Sequence, residues 1–127
     1  MTAELTAIAP ILLVADLQAS LGYWRDKVGF ETVTFEQAPN FAIVTRGAAR
    51  IMLQQVEPGT KIVPNWRLHD KASNVFIWID DARSLYDELV ERGANIDWEL
   101  YHAPYGALEF GIQDVDDHDI AFAQLLD

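Results

Sequence analysis

Apolar and polar positions along this chain fall into blocks whose period changes from two to nearly four and back again. Ile8 to Val14 is apolar on both faces, the pattern of a strand covered on both sides. Asp16 follows as a helix N-cap. Leu17, Leu21, Trp24 and Val28 are spaced 4, 3 and 4 apart, which predicts one buried helix face, and Gly29 suits a left-handed stop. Phe30 to Glu36, Phe41 to Thr45 and Arg50 to Val56 then read as strands, the last two joined by an Arg46-Gly47-Ala48-Ala49 turn.

The second half repeats this order. Asn74 to Ile79 predicts a strand, and Ala82 to Arg92 a helix with Ala82, Leu85, Leu89 and Tyr86 inward. Strands follow near Ile96 to Tyr101, Ala107 to Gln113 and Ile120 to Leu125, with an Asp114-Val115-Asp116-Asp117-His118 hairpin turn. The capping residues Asp16 and Asp81 lie 65 positions apart and Gly29 and Gly93 lie 64 apart, half the chain in each case. Such a repeat implies two βαβββ modules around a shared cleft, an α+β fold. The expected organisation is a single domain, 1–127, with modules at 5–59 and 73–127 and a connector at 60–72. Trp66, in that connector, is placed either to pin the loop or to cover a ligand.

Composition narrows the chemistry. Half of the residues are hydrophobic and 23% are charged, ordinary values for a globular protein. The net charge of −11 is concentrated in the second half, where residues 64–127 carry 4 basic and 14 acidic side chains. That field disfavours nucleic acid and anionic lipid and attracts cations. The absence of cysteine excludes disulfides, thiolate nucleophiles and thiolate metal sites. No apolar run is long enough to span a bilayer, and Met-Thr-Ala-Glu lacks a secretion-signal pattern, so a cytoplasmic location and no membrane partner are expected.

Two motif sets carry a family resemblance. Pro10-Ile11-Leu12-Leu13-Val14-Ala15-Asp16-Leu17 precedes Tyr23-Trp24-Arg25-Asp26-Lys27-Val28-Gly29-Phe30. Ile79-Asp80-Asp81 leads into the second helix, ahead of Pro104-Tyr105-Gly106, Glu109-Phe110 and Asp114-Val115-Asp116-Asp117. In order and spacing the chain resembles the vicinal oxygen chelate superfamily, which includes glyoxalase I, extradiol dioxygenases and the fosfomycin and bleomycin resistance proteins. The resemblance implies that each module curls into half of a cup-shaped mixed sheet and that the protein is a homodimer. It also implies metal-ligand positions on the first and last strand of each module, which here are Ala9, Met52, Asn74 and Ala121. Two alanines, a thioether and one amide are not the oxygen and imidazole set a divalent cation needs, so no metal or other cofactor is expected.

His69, His102 and His118 share no ligand spacing, and the acidic turn Asp114 to Asp119 lacks the glycine and distal glutamate of a calcium loop. Ser20, Ser73 and Ser84 have no nucleophile pattern around them. Glu109, a carboxylate in an apolar strand, is the one general acid or base candidate besides His102. By strand alternation Ile11 shares a face with Ala9, and Phe76 and Trp78 share one with Asn74, which gives an aromatic cup. The resemblance is greatest to the metal-free bleomycin resistance proteins. It implies antibiotic resistance by sequestration of a cationic or aromatic antibiotic or metabolite, with Ile11, Met52, Trp66, Asn74, Phe76, Trp78, Glu109 and Ala121 lining the cleft. A glyoxalase-like lyase, isomerase or dioxygenase, metal-dependent or using Glu109, is the alternative. A regulatory module that merely keeps the fold is the third reading.

Overall fold

The computed structural model describes residues 2–127. β1 (Ile11–Val14) leads into α1 (Leu17–Asp26), then β2 (Glu31–Thr34), β3 (Phe41–Arg46) and β4 (Ala49–Gln55). A connector with one short 3-10 turn at Asn65–Arg67 precedes β5 (Val75–Trp78), α2 (Ala82–Arg92), β6 (Asn95–Ala103), β7 (Ala107–Gln113) and β8 (Asp119–Leu125). Each module forms its own four-stranded mixed sheet, ordered β1-β4-β3-β2 and β5-β8-β7-β6. In both, the first strand runs parallel to the last and the other pairings are antiparallel. Two βαβββ units in tandem are therefore the architecture.

The repeat extends to individual hydrogen bonds. Asp16 Oδ1 accepts from the Ala19 amide at 3.2 Å, and Asp81 Oδ1 from the Ser84 amide at 3.0 Å. Behind each cap, a glutamine from the module's last strand satisfies another free helix amide: Leu17 N donates to Gln55 Oε1 at 2.7 Å and Ala82 N to Gln124 Oε1 at 2.9 Å. The first strand is shorter than its apolar run suggests, because the ladder to β4 begins only at Ile11, although the Met52 amide still donates to the Pro10 carbonyl. α1 also ends before the glycine: the Lys27 amide closes on the Tyr23 carbonyl, and Phe30 N reaches the Trp24 carbonyl after Gly29 turns through φ +75°.

Leu17, Leu21, Trp24 and Val28 are all buried, and one apolar core runs through both modules from Leu12 and Trp24 to Phe110 and Phe122. Polar bonds also cross between modules. The Tyr23 hydroxyl donates to the Gln113 carbonyl at 2.6 Å and accepts the Asn95 amide at 3.1 Å, while Ala15 N donates to Asp116 Oδ1 at 3.2 Å. Arg46 makes a two-pronged pair with Glu88, both contacts at 2.8 Å. Among the described residues no helix is long and apolar enough to cross a membrane.

Candidate functional site

On each sheet, one face lies against its helix and the other is open. The ladders line up Ile11, Met52, Ile43 and Val33 as one row across the open face of the first sheet. The matching row of the second sheet is Phe76, Ala121, Gly111 and Trp98, with Trp78, Ala123, Glu109 and Tyr101 beside it. The first row is uniformly aliphatic. The second has aromatic ends and a floor of very small residues, a trough into which a flat group can settle.

Trp98 lies in that trough because β6 is irregular. Ile96 and Leu100 pack on the core, and strict alternation would send Trp98 with them, but the ladder shifts register on both sides of it. The indole crosses directly over Gly111, where a Cβ atom would come within 2.2 Å of the ring. Its Nε1–H donates to Glu109 Oε2 at 3.1 Å, and the Tyr105 hydroxyl donates to the other carboxylate oxygen. Glu109 is 8% exposed, so a nearly buried carboxylate holds an aromatic plate and a tyrosine in place. Burial and the neighbouring Glu109 carboxylate push the Tyr101 and Tyr105 hydroxyls above the ordinary tyrosine pKa, so both remain neutral donors at physiological pH.

A cavity of about 630 Å³ opens above Trp98 and Glu109. Trp66 and Tyr101 supply further aromatic wall, and Asp70, Asp97, Glu99 and Asp119 add carboxylates against the single cation Lys71. Asp119 is 4% exposed and accepts from Gln113 Nε2 at 3.0 Å. Burial, then hydrogen bonding and repulsion from Asp97, push its carboxyl up to about 6, despite the opposing bond from Gln113. Trp66 both lines this cavity and pins the connector, since its Nε1–H donates to the Asp117 carbonyl at 2.7 Å. A second cavity of about 590 Å³ lies between the modules, bordered by the Arg46 to Ala49 turn, Trp78 and Glu88.

The structure thus brings Trp66 and Glu109 to one cavity and Trp78 to the other. Phe76 and Ala121 are neighbours on the open face of the second sheet, whereas Ile11 and Met52 are neighbours on the first. Trp98, Tyr101 and Asp97 are lining residues that sequence reasoning did not single out, and Asp119 entered it only as the end of the acidic turn. Gly111 inside a strand was the available signal, because a glycine there commonly marks the close approach of another group.

The four positions at which the resemblance implies metal ligands offer no donor set that fits a cation. Ala9 and Ala121 have no donor, Met52 is flanked across the sheet by Ile11 and Ile43, and Asn74 Oδ1 already accepts the Asn65 amide at 3.0 Å. His69 and His102 are exposed on separate elements. His118 is buried, with Nδ1 2.8 Å from Asp114 Oδ2, and Asp114 Oδ1 accepts the Asp116 and His118 amides, so the acidic turn spends its carboxylate on its own backbone.

Tandem βαβββ modules with open sheet faces define a class that a family model matches over residues 5–122. The chain belongs to the glyoxalase/bleomycin resistance protein/dioxygenase superfamily. Among solved structures it is similar to TioX from Micromonospora sp. ML1, with a TM-score of 0.74 and 19% identity over 95% of this chain and 99% of that one. It is similar too to the bleomycin-binding protein of bleomycin-producing Streptomyces verticillus complexed with copper(II)-bleomycin, with a TM-score of 0.73 and 22% identity over 99% and 100% of the two chains. A glyoxalase-related enzyme from Clostridium phytofermentans gives a TM-score of 0.74 at 14% identity, covering 98% of each chain. These likenesses establish the fold. No match was found among curated proteins.

Proposed function

We propose that this protein is a metal-free binder that sequesters a small cationic or aromatic molecule, such as an antibiotic or secondary metabolite, inside the cytoplasm. The observation that carries this reading is the cavity over Trp98, in which aromatic faces and an excess of carboxylates occur together while the positions at which the resemblance implies metal ligands lack a donor set. Aromatic rings stack flat groups and attract cations over their faces, and surrounding carboxylates raise the local concentration of positive ligands. The bleomycin-binding relative supports the ligand class by its own bound ligand. Both oxygens of Glu109 take a donor from Trp98 or Tyr105, which favours a positioning role for this carboxylate over proton transfer.

The protein acts as a homodimer in this reading. The open face of the first sheet, with Ile11 and Met52, meets the open face of a second copy's second sheet and completes the cleft. The test is a titration of intrinsic tryptophan fluorescence and melting temperature with bleomycin, its copper(II) complex, planar cations and divalent metals. A native-state ligand raises stability by RT ln(1 + [L]/Kd), so a saturating binder moves the melt. A shift with a cationic aromatic compound and none with metal supports the proposal. A shift with metal alone, or turnover of the ligand, sinks it in favour of an enzyme.

A further inference from the structure

The floor of the Trp98 cavity carries a charge whose oxygens are already engaged. Glu109 is 8% exposed and gives one oxygen to the Trp98 Nε1–H and the other to the Tyr105 hydroxyl. Both donors are neutral, and among the described residues no lysine, arginine or histidine nitrogen pairs with Glu109. Its negative charge is therefore buried without a compensating cation, which is costly unless a ligand supplies one. Further along β7, Gln113 donates to Asp119 at 3.0 Å, so these two polar side chains of the cavity also serve each other. The remaining carboxylates of the lining, Asp70, Asp97 and Glu99, are exposed, and water competes for them.

Trp98 supplies the other half of the site. A Cβ placed on Gly111 would stand 2.2 Å from Cη2 and Cζ3 and 2.5 Å from Cε3, close to equidistant from three consecutive ring atoms. Such a point lies over the ring and not off its edge. The indole thus rests flat on the Gly111 backbone with one face closed, and the other is left to the cavity, where Trp66 and Tyr101 add two more rings. One of these walls already carries a cation: the Arg67 guanidinium carbon lies 4.6 Å from the Trp66 ring centroid. A primary ammonium gives up three hydrogen bonds to water on entry and needs acceptors in exchange, whereas an alkylated nitrogen has no N–H to satisfy. Ring faces around an uncompensated charge suit the second kind.

We infer that this cavity selects an aromatic ligand bearing a quaternary nitrogen, with the ring stacked on the open face of Trp98 and the alkylated cation held by the Trp66 and Tyr101 rings and the Glu109 charge. This rests on the binding reading above and narrows its ligand class to permanent cations without a donor hydrogen. At about 630 Å³ the cavity has room for both parts.

The test uses four probes: benzyltrimethylammonium; benzylammonium and benzyl alcohol, which keep the ring; and choline, which keeps the quaternary head. Binding is followed at neutral pH by the Trp66 and Trp98 indole N–H signals in NMR titrations. Benzyltrimethylammonium should bind about tenfold more tightly than benzyl alcohol, and choline and benzylammonium should each fall about threefold or more below it. Glu109→Gln, which keeps the side-chain shape and removes the charge, should lower the affinity for benzyltrimethylammonium to near that for benzyl alcohol and leave the alcohol's own affinity unchanged. If that variant fails to fold, Tyr101→Leu, at a position 45% exposed, should weaken both quaternary probes several-fold. Benzylammonium, benzyl alcohol or choline binding as tightly as benzyltrimethylammonium overturns the inference, as does affinity unchanged in the folded variants. Indifference to all four probes at millimolar concentration overturns it too, while a response to bleomycin in the same protein would leave the sequestration reading standing.

Discussion

Gly111 decides where Trp98 can lie. Any side chain at 111 would occupy the position of the indole ring, which the backbone cannot yield because the β7 ladder holds it on both sides. Gly111→Ala is therefore expected to expel Trp98 from the trough, break its bond to Glu109 and cost about 1–3 kcal/mol, the range for overpacking. Urea unfolding gives the energy, and a red-shifted tryptophan emission reports the expelled ring. Asp117 shows the opposite situation. It adopts φ +67° without being glycine, a left-handed conformation that strains an L residue. Asp117→Gly should leave the Trp66 bond to the 117 carbonyl intact and raise stability by up to about 1 kcal/mol, read as an increased melting temperature. The sequence pointed to Glu109 because a carboxylate in an apolar strand is anomalous at any register. It did not point to Trp98, because alternation places that residue on the core face and the register shifts around it leave no mark in the residue pattern.

At the level of elements, the helices and caps were legible and the contacts between modules were not. Asp16, Asp81 and the apolar spacing act over a few residues, so their pattern is local and readable. Arg46 at the end of β3 and Glu88 on α2 are 42 positions apart, and nothing in either segment announces the other. Hydrogen bonding from Arg46, aided by Arg92 and opposed by partial burial, lowers the Glu88 carboxyl from its ordinary 4.5 to about 2. A depressed carboxylate stabilises the fold fully above its unfolded value and loses that contribution as pH falls through the folded one. The Glu88 side chain is 34% exposed, so solvent screening limits its worth to about 1 kcal/mol. Glu88→Gln should destabilise the protein by that amount at pH 7, and its urea midpoint should converge with that of the wild type as pH approaches 2. A gap that persists undiminished in acid would assign the loss to packing instead of charge.

The whole molecule has one core but two open sheet faces, and the asymmetry between them argues for a partner. On the first sheet Ile11 is 61% exposed and Leu13 and Val33 each more than 40%, on the face turned away from α1. Their burial against Phe76 and Trp78, which are also exposed in a single chain, would remove both patches at once. The charge distribution fits this pairing, because the acidic half then lies opposite the nearly neutral half and not opposite itself. An arrangement of that kind is isologous: the first module of each copy meets the second module of the other, and both clefts form together. Ile11→Lys should therefore convert a dimer, measured by sedimentation equilibrium, into a monomer of unchanged helix and strand content. The Trp98 cavity lies within one chain, so the monomer should still bind a planar cation small enough to fit inside it while losing affinity for any ligand large enough to span the cleft. A monomeric wild-type protein would refute the dimer, and a dimer indifferent to Ile11→Lys would place the interface on another face.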